Sequence, residues 1–337
     1  PSRVVVLGGT VLDIVAKPKA KLLLGTSNPS DCAESDGGVA RNVAEVLGRL
    51  GSKPLLYSAV GDDVRGQALK QRQEDYGIQD SNLTICTVES FNTATFLAVL
   101  EGATSDLHTA CADTAVMSEI QVPPREVLEQ AEMLVFDANP PVTILREAAQ
   151  IASDLGLDVF FEPTSVPKTK LVAQDPALMR CLTGAFPNLD ELIAIRDAAC
   201  QMDIADEDGR LLGKIDVDLA HVQTVASQVL DCMSPTEAYL VITMGVNGVM
   251  FASRINEHST GQVLFEFKHF PVSEEVDVQN STGAGDSLCG AFLHACLQGK
   301  NYSDAIALGM RAASLSLRSP ERTVAPELNC LASGTDI

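Results

Sequence analysis

Asn280-Ser281-Thr282-Gly283-Ala284-Gly285-Asp286, running on into the apolar stretch 288–297, is the segment from which the rest of the chain is best read. Gly283, Ala284 and Gly285 let the backbone pass close to a bulky anion, where a larger Cβ would collide. A helix beginning just behind them aims unpaired N–H groups and its positive dipole end at the same point. Asp286 falls in the first turn of that helix. A carboxylate there can take the proton of an attacking hydroxyl while the amides hold the oxygens of a transferring phosphoryl group. A plain helix start with Asp matching the dipole would look the same in isolation. The remainder of the chain has to choose.

Outward from this segment, strand and helix signals alternate. Val4-Val5-Val6-Leu7-Gly8-Gly9 is a short apolar run closed by glycines, as in a buried parallel strand. Gly37-Gly38 opens residues 39–51, where Val39, Val43, Val46, Leu47 and Leu50 share one helical face and Gly51 stands as a C-cap. Further strands are predicted over 55–60, 133–136, 159–161, 185–186, 237–243, 249–252 and 264–270. Helices are predicted over 65–76, 142–155, 170–182 and 217–233, with another starting at 191. Such alternation means βαβ units around a mostly parallel sheet, with ligands at the carboxyl ends of the strands. Two stretches break the rhythm, about 13–35 and 90–113. Both can project extra strands as a cover over the site.

Composition narrows the function. The 337 residues are 46% hydrophobic, with a mean hydropathy of +0.12, enough for a large core in one α/β domain or two smaller ones. Aromatic residues are only 4%, with no Trp, which argues against a stacking platform for single-stranded nucleic acid. The net charge of −21 and pI near 4.5 repel phosphate backbones and anionic lipids, so neither nucleic acid nor membrane is expected as a partner. An acidic chain that binds a nucleotide must make its positive potential locally. Nine cysteines without C-x-x-C spacing, most in apolar segments, read as reduced core residues. That usage points to the cytoplasm, or to an organelle if a targeting segment precedes Pro1. The five histidines show no metal spacing.

Five glycine-centred or polar elements stand together: Gly8-Gly9-Thr10-Val11-Leu12-Asp13, Gly37-Gly38-Val39-Ala40-Arg41-Asn42, Pro187-Asn188-Leu189-Asp190-Glu191, Thr243-Met244-Gly245-Val246-Asn247-Gly248, and the loop 283–286. In order and spacing they resemble the ribokinase-like (PfkB) family of carbohydrate and nucleoside kinases, from Gly8 to about Pro326. The resemblance implies one three-layer α/β/α domain over 1–337 with a small β-strand lid from 13–35 and 90–113. It implies that Asp286 is the catalytic base, with the amides of Ala284, Gly285 and Asp286 as the anion hole and Gly283 allowing the turn.

By the same resemblance Asp13, Gly38 and Asn42 bind sugar hydroxyls. Asn188, Thr243, Gly245 and Gly248 serve ATP together with Gly283 and Gly285. Glu191 orders Mg²⁺ through water. Purely structural alternatives stand beside these roles: Asp13 as a turn residue, Asn42 as a helix-start hydrogen bonder, Glu191 as an exposed first-turn carboxylate, Thr243 as a strand end. Asn280 stands where the family usually has Asp, keeping an oxygen ligand for K⁺ but losing its charge.

Within the family, residues 37–45, Ala112-Asp113 and 162–168 are most similar to the pseudouridine kinases, which use ATP on the ribose 5′-hydroxyl of a C-nucleoside. Ribokinase, another sugar or nucleoside kinase, and a catalytically silent nucleoside-binding protein are the alternatives. A homodimer through the lid strands is the oligomer such relatives suggest.

Overall fold

Val4, Val5, Val6 and Leu7 have no exposed surface, so the first strand lies in the middle of a sheet covered on both faces. The computed structural model describes residues 4–78, 84–88, 91–101, 107–201, 217–257, 262–272, 276, 278–279, 282–319 and 323–332. In chain order the strands are β1 (Val4–Leu7), β2 (Val11–Pro18), β3 (Ser30–Gly37), β4 (Leu55–Gly61), β5 (Thr84–Val88), β6 (Thr95–Leu100) and β7 (Leu107–Asp113). They continue with β8 (Met133–Asp137), β9 (Asp158–Glu162), β10 (Gly184–Ala185), β11 (Glu237–Thr243), β12 (Val249–Glu257) and β13 (Gln262–Phe270).

Nine of them form one sheet in the order β13-β12-β11-β10-β9-β8-β1-β4-β5. Every pairing from β5 across to β11 is parallel, and the hairpin β12–β13 adds two antiparallel strands at one edge. The strand period of two sorts side chains to opposite faces. On one face Leu134, Phe136, Val159 and Phe161 pack with Leu145 and Ala148 of the helix Val142–Asp154. On the other, Val4, Val6, Val135 and Phe160 pack with Val43 and Leu47 of the helix Val39–Arg49 and with Phe292 of the helix Ala284–Leu297. The result is three layers. Phe292 is wholly enclosed, and truncating it to Ala costs about 3–5 kcal/mol.

The remaining strands make a four-stranded sheet in the order β3-β2-β6-β7, drawn from the two stretches that interrupt the alternation. Here β2 and β6 run parallel and the outer pairs antiparallel. Its residues are half-exposed along much of their length, as befits a sheet with one face toward solvent.

Several expectations need correction. The helix predicted over 170–182 is two helices, Val166–Ala173 and Pro176–Met179. Pro176 has no N–H to continue the first, and Asp175 caps the second by accepting from the amides of Ala177 and Leu178, both at 3.1 Å. The strands predicted over 133–136 and 159–161 each run one residue further, to Asp137 and Glu162. The cysteines are not mainly core residues. Among the eight described, all free thiols, only Cys181 and Cys289 are buried, and Cys32, Cys111, Cys200 and Cys330 are exposed. Cys32 and Cys111 sit on outward-facing positions of β3 and β7. No helix among the described residues is long and apolar enough to cross a membrane.

Candidate active site

The helix Ala284–Leu297 starts from Gly283, whose φ of 81° is left-handed. A Cβ on Gly283 would lie 2.2 Å from the Thr323 carbonyl oxygen, so both conformation and space demand glycine there. The first bond of the turn runs from the Ser287 N–H to the Gly283 carbonyl at 2.9 Å. The amides of Ala284, Gly285 and Asp286 therefore precede the helical ladder. A Cβ on Gly285 would meet nothing within 4 Å among the described residues, which leaves a backbone cradle of the kind an anion fills.

Asp286 is buried, and Asn42 Nδ2 donates to its Oδ2 at 2.6 Å. Burial pushes its pKa up to about 7. The Asn42 hydrogen bond and the Arg41 charge oppose that rise, and the charges of Asp137 and Asp13 add to it. A carboxylate near 7 is matched to proton abstraction at neutral pH.

Asn42 comes from the helix Val39–Arg49, which starts from Gly38 at a φ of 95°. A Cβ on Gly38 would sit 2.4 Å from the Gly9 carbonyl oxygen. Asp13, near the start of β2, lies beside the same glycine pair, since a Cβ on Gly37 would come within 2.1 Å of its Oδ2. Burial raises Asp13 to about 6, with Arg41 opposing and Asp36 adding. Asp13, Gly38, Asn42 and Asp286 thus share one neighbourhood at the carboxyl end of β1, under the small sheet. Asp13 is not an exposed turn residue.

Asn188 and Glu191 open the helix Leu189–Ala199 as a capping box: Asn188 Oδ1 accepts from the Glu191 amide at 2.9 Å, and Glu191 Oε2 accepts from the Asn188 amide at 3.0 Å. Glu191 is buried, not exposed. Burial raises its pKa, and its charge in turn acts on Glu162. Thr243 ends β11 and bridges to Asn188. Gly245 and Gly248 bracket the turn into β12, and Gly248 is required by the fold itself, because a Cβ would meet the Phe270 carbonyl oxygen at 2.1 Å. These residues sit at the start of the helix Leu189–Ala199, at the end of β11 and in the turn into β12, and no hydrogen bond among the described residues joins them to Asp13 or Asn42. Asn280 lies outside the described residues. No three His, Cys, Asp or Glu side chains among the described residues converge as a metal cage.

Four residues received no role from the sequence, although Arg41 stands in the element 37–42 and Glu162 in the stretch 162–168. Asp137 accepts from the amides of Gly9 and Ala40, both at 2.9 Å, and from the Asn139 amide at 2.8 Å and side chain at 2.7 Å. Burial raises its pKa despite these bonds. Glu162 pairs in register with Asp137 across β8 and β9 and is pushed well above the usual range by burial, then by the charges of Asp286 and Glu191. Both follow directly on an apolar run, at the strand ends where ligands gather, and that position was the available signal. Arg41 and Thr323, which join Asn42, had none.

A large, mostly parallel sheet between two helix layers, a second four-stranded sheet and a buried carboxylate at a glycine-opened helix start make up this α/β fold. The sequence profile of pfkB family carbohydrate kinases matches residues 1–327. The chain belongs to that family. It is 23% identical to a pseudouridine kinase of Arabidopsis thaliana, over 96% of this chain and 92% of that one. It is 24% identical to a guanosine-inosine kinase of Exiguobacterium acetylicum, over 97% and 98%. Among solved structures, an Arabidopsis thaliana ribokinase complexed with ribose and ATP superposes with a TM-score of 0.76 at 15% identity, covering 99% of each chain.

Proposed function

We propose that this chain is an ATP-dependent kinase for the 5′-hydroxyl of a ribose-bearing nucleoside, with pseudouridine as its substrate. The observation that supports the reading most is the hydrogen bond from Asn42 to the buried Asp286 at 2.6 Å, which joins the first turns of the helices Val39–Arg49 and Ala284–Leu297. Pseudouridine kinases of Arabidopsis thaliana and of Escherichia coli, the latter 26% identical over 97% of this chain, support the choice of nucleoside.

In this reading Asp13, the Gly38 backbone and Asn42 hold the ribose hydroxyls. Asp286 accepts the proton of the 5′-hydroxyl as its oxygen forms a bond to the γ-phosphorus of ATP. The bond from that phosphorus to the bridging oxygen breaks, and ADP leaves. The amides of Ala284, Gly285 and Asp286 hold the equatorial oxygens, so the protein contributes position and charge stabilisation rather than covalent chemistry. Asn188, Thr243, Gly245 and Gly248 form the nucleotide side. Glu191, with one oxygen engaged in the capping box, is the carboxylate that would orient the waters of Mg²⁺. The ion would supply charge neutralisation on the phosphates. Asn280 is assigned to a K⁺ site on the same reading, and the lid strands to a homodimer in the cytoplasm.

The test is a substrate panel with Mg-ATP: pseudouridine, uridine, inosine, guanosine and ribose, with ADP release and phosphorus NMR of the product as readouts. Pseudouridine is expected to have the highest kcat/KM, with the phosphate on O5′. A preference for free ribose would make the chain a ribokinase. No transfer to any of them would favour a silent nucleoside-binding protein.

A further inference from the structure

Arg41 is among the bulkiest fully buried side chains of the protein, and no role for it follows from the sequence motifs. Its Nη1 donates to Glu45 Oε2 at 2.5 Å, and its Nη2 to the Asp36 carbonyl at 2.9 Å and to Asn42 Oδ1. The guanidinium also lies 5.4 Å from the centre of the Tyr76 ring. Its Nε has no partner among the described residues. Enclosing a charge this completely costs several kcal/mol, and an apolar side chain of the same volume often serves stability as well. Stability alone is therefore a poor reason for an arginine here.

Asn42 supplies a better one. A side-chain amide turned by 180° keeps nearly the same shape but exchanges its donor and acceptor ends. One end would donate to Asp286; the other would set a carbonyl oxygen against a carboxylate. Among the described residues Arg41 Nη2, which can only donate, faces Asn42 Oδ1; the Thr323 hydroxyl, 3.3 Å from that oxygen, gives its one proton to the Asp36 carbonyl at 2.9 Å and lies 3.4 Å from Arg41 Nη2. Oxygen must therefore point toward Arg41, and nitrogen toward Asp286. Asp36 belongs to β3, where Arg72 and Tyr76 also hold its carboxylate, at 2.6 Å each. Arg41 thus joins the end of a lid strand to the amide that touches the base.

We propose that Arg41 is a positioning residue for phosphoryl transfer: it holds the Asn42 amide in the orientation that donates to Asp286 and ties that orientation to β3. The inference rests on the reading of Asp286 as the base. The groups facing Asp286 are Asn42 and Arg41 from the helix Val39–Arg49, Asp13 from β2, Asp137 from β8 and Glu162 from β9. Arg41 is the one cation in this set. Its removal takes away both an opposing charge and the constraint on Asn42, and both changes make Asp286 harder to ionise.

The experiment compares wild type with Arg41→Met, Arg41→Lys and Thr323→Val. It follows the pH profile of kcat/KM and, separately, the titration of the Asp286 carboxyl by carbon NMR. In Arg41→Met the acid limb and the carboxyl midpoint are expected to rise by about one pH unit. The same variant should lose roughly tenfold in kcat, with KM for ATP within about twofold of wild type. Arg41→Lys, which keeps the charge but not the planar fork, should recover the midpoint without recovering kcat. Thr323→Val, a near-isosteric change, should move the midpoint the same way by less, and it decides the matter if Arg41→Met fails to fold. An unchanged Asp286 midpoint in folded Arg41→Met, or in Thr323→Val where Arg41→Met does not fold, would overturn the proposal. If wild type phosphorylates none of the sugars tried, the kinase reading fails instead, and the NMR midpoint still judges Arg41.

Discussion

Two helices begin at the same end of the large sheet, each from a glycine with positive φ and neither with a side-chain cap, yet their first turns are used in opposite ways. At the start of the helix Val39–Arg49, the Ala40 amide is taken by the buried carboxylate of Asp137. At the start of the helix Ala284–Leu297, a Cβ on Gly285 would meet nothing within 4 Å among the described residues, beside the amides of Ala284 to Asp286. The protein supplies its own carboxylate at the first, and on the proposed reading the second is kept for a foreign anion. A glycine-rich helix start is thus not a site by virtue of its glycines. What matters is whether an internal carboxylate already satisfies it.

This contrast can be broken at either end. The largest effect is expected from Asp286→Asn, which keeps the shape and removes the carboxylate proposed as the base: kcat should fall by about a thousandfold while ATP affinity by calorimetry holds within about twofold. Retained turnover would detach the base from this helix start. Gly285→Val fills the cradle without touching the fold, and kcat/KM should drop by about a hundredfold or more with an unchanged melting temperature. At the other helix, Asp137→Ala strips the acceptor from the Gly9 and Ala40 amides. It should cost about 2–4 kcal/mol in denaturant unfolding, because two buried donors lose their partner. A melting curve matching wild type would show that Asp137 does not fill that helix start.

The smallest effect is on the pH dependence of stability. Asp286 and Asp13 stand at about 7 and about 6, raised from an ordinary 3.8. The folded chain therefore holds more protons than the unfolded one between these limits. That contribution to stability is complete below the ordinary value and is lost as pH rises through about 6 to 7. Denaturant midpoints should be lower at pH 8 than at pH 5, and Asp286→Asn should flatten part of the difference. Equal slopes for the two proteins would contradict the raised pKa of Asp286.

Much of the fold was legible because it rests on local pattern. The run Val4 to Leu7 and the one-sided face Val39, Val43, Val46, Leu47 and Leu50 read directly as a buried strand and a packed helix. The alternation between them carried the parallel sheet. What was illegible depends on partners far away in the chain. Asp137 and Glu162 read as the first loop residues after apolar runs, since nothing local says that a carboxylate at a strand end is enclosed by the next strand and by a helix start. The break at Pro176 was a local signal passed over. Arg41 looked like one charge among helix residues, and its meaning depends on Thr323, 282 positions away.

The central claim is that the start of the helix Ala284–Leu297 receives the phosphoryl group in transit, with Asp286 on the attacking oxygen. Crystals of the protein with ADP, aluminium fluoride and pseudouridine address it directly. The fluoride ligands are expected within hydrogen-bond reach of the Ala284, Gly285 and Asp286 amides, with an Asp286 oxygen on the nucleoside O5′. A fluoride group bound elsewhere, or an Asp286 carboxylate turned away from O5′, would contradict it.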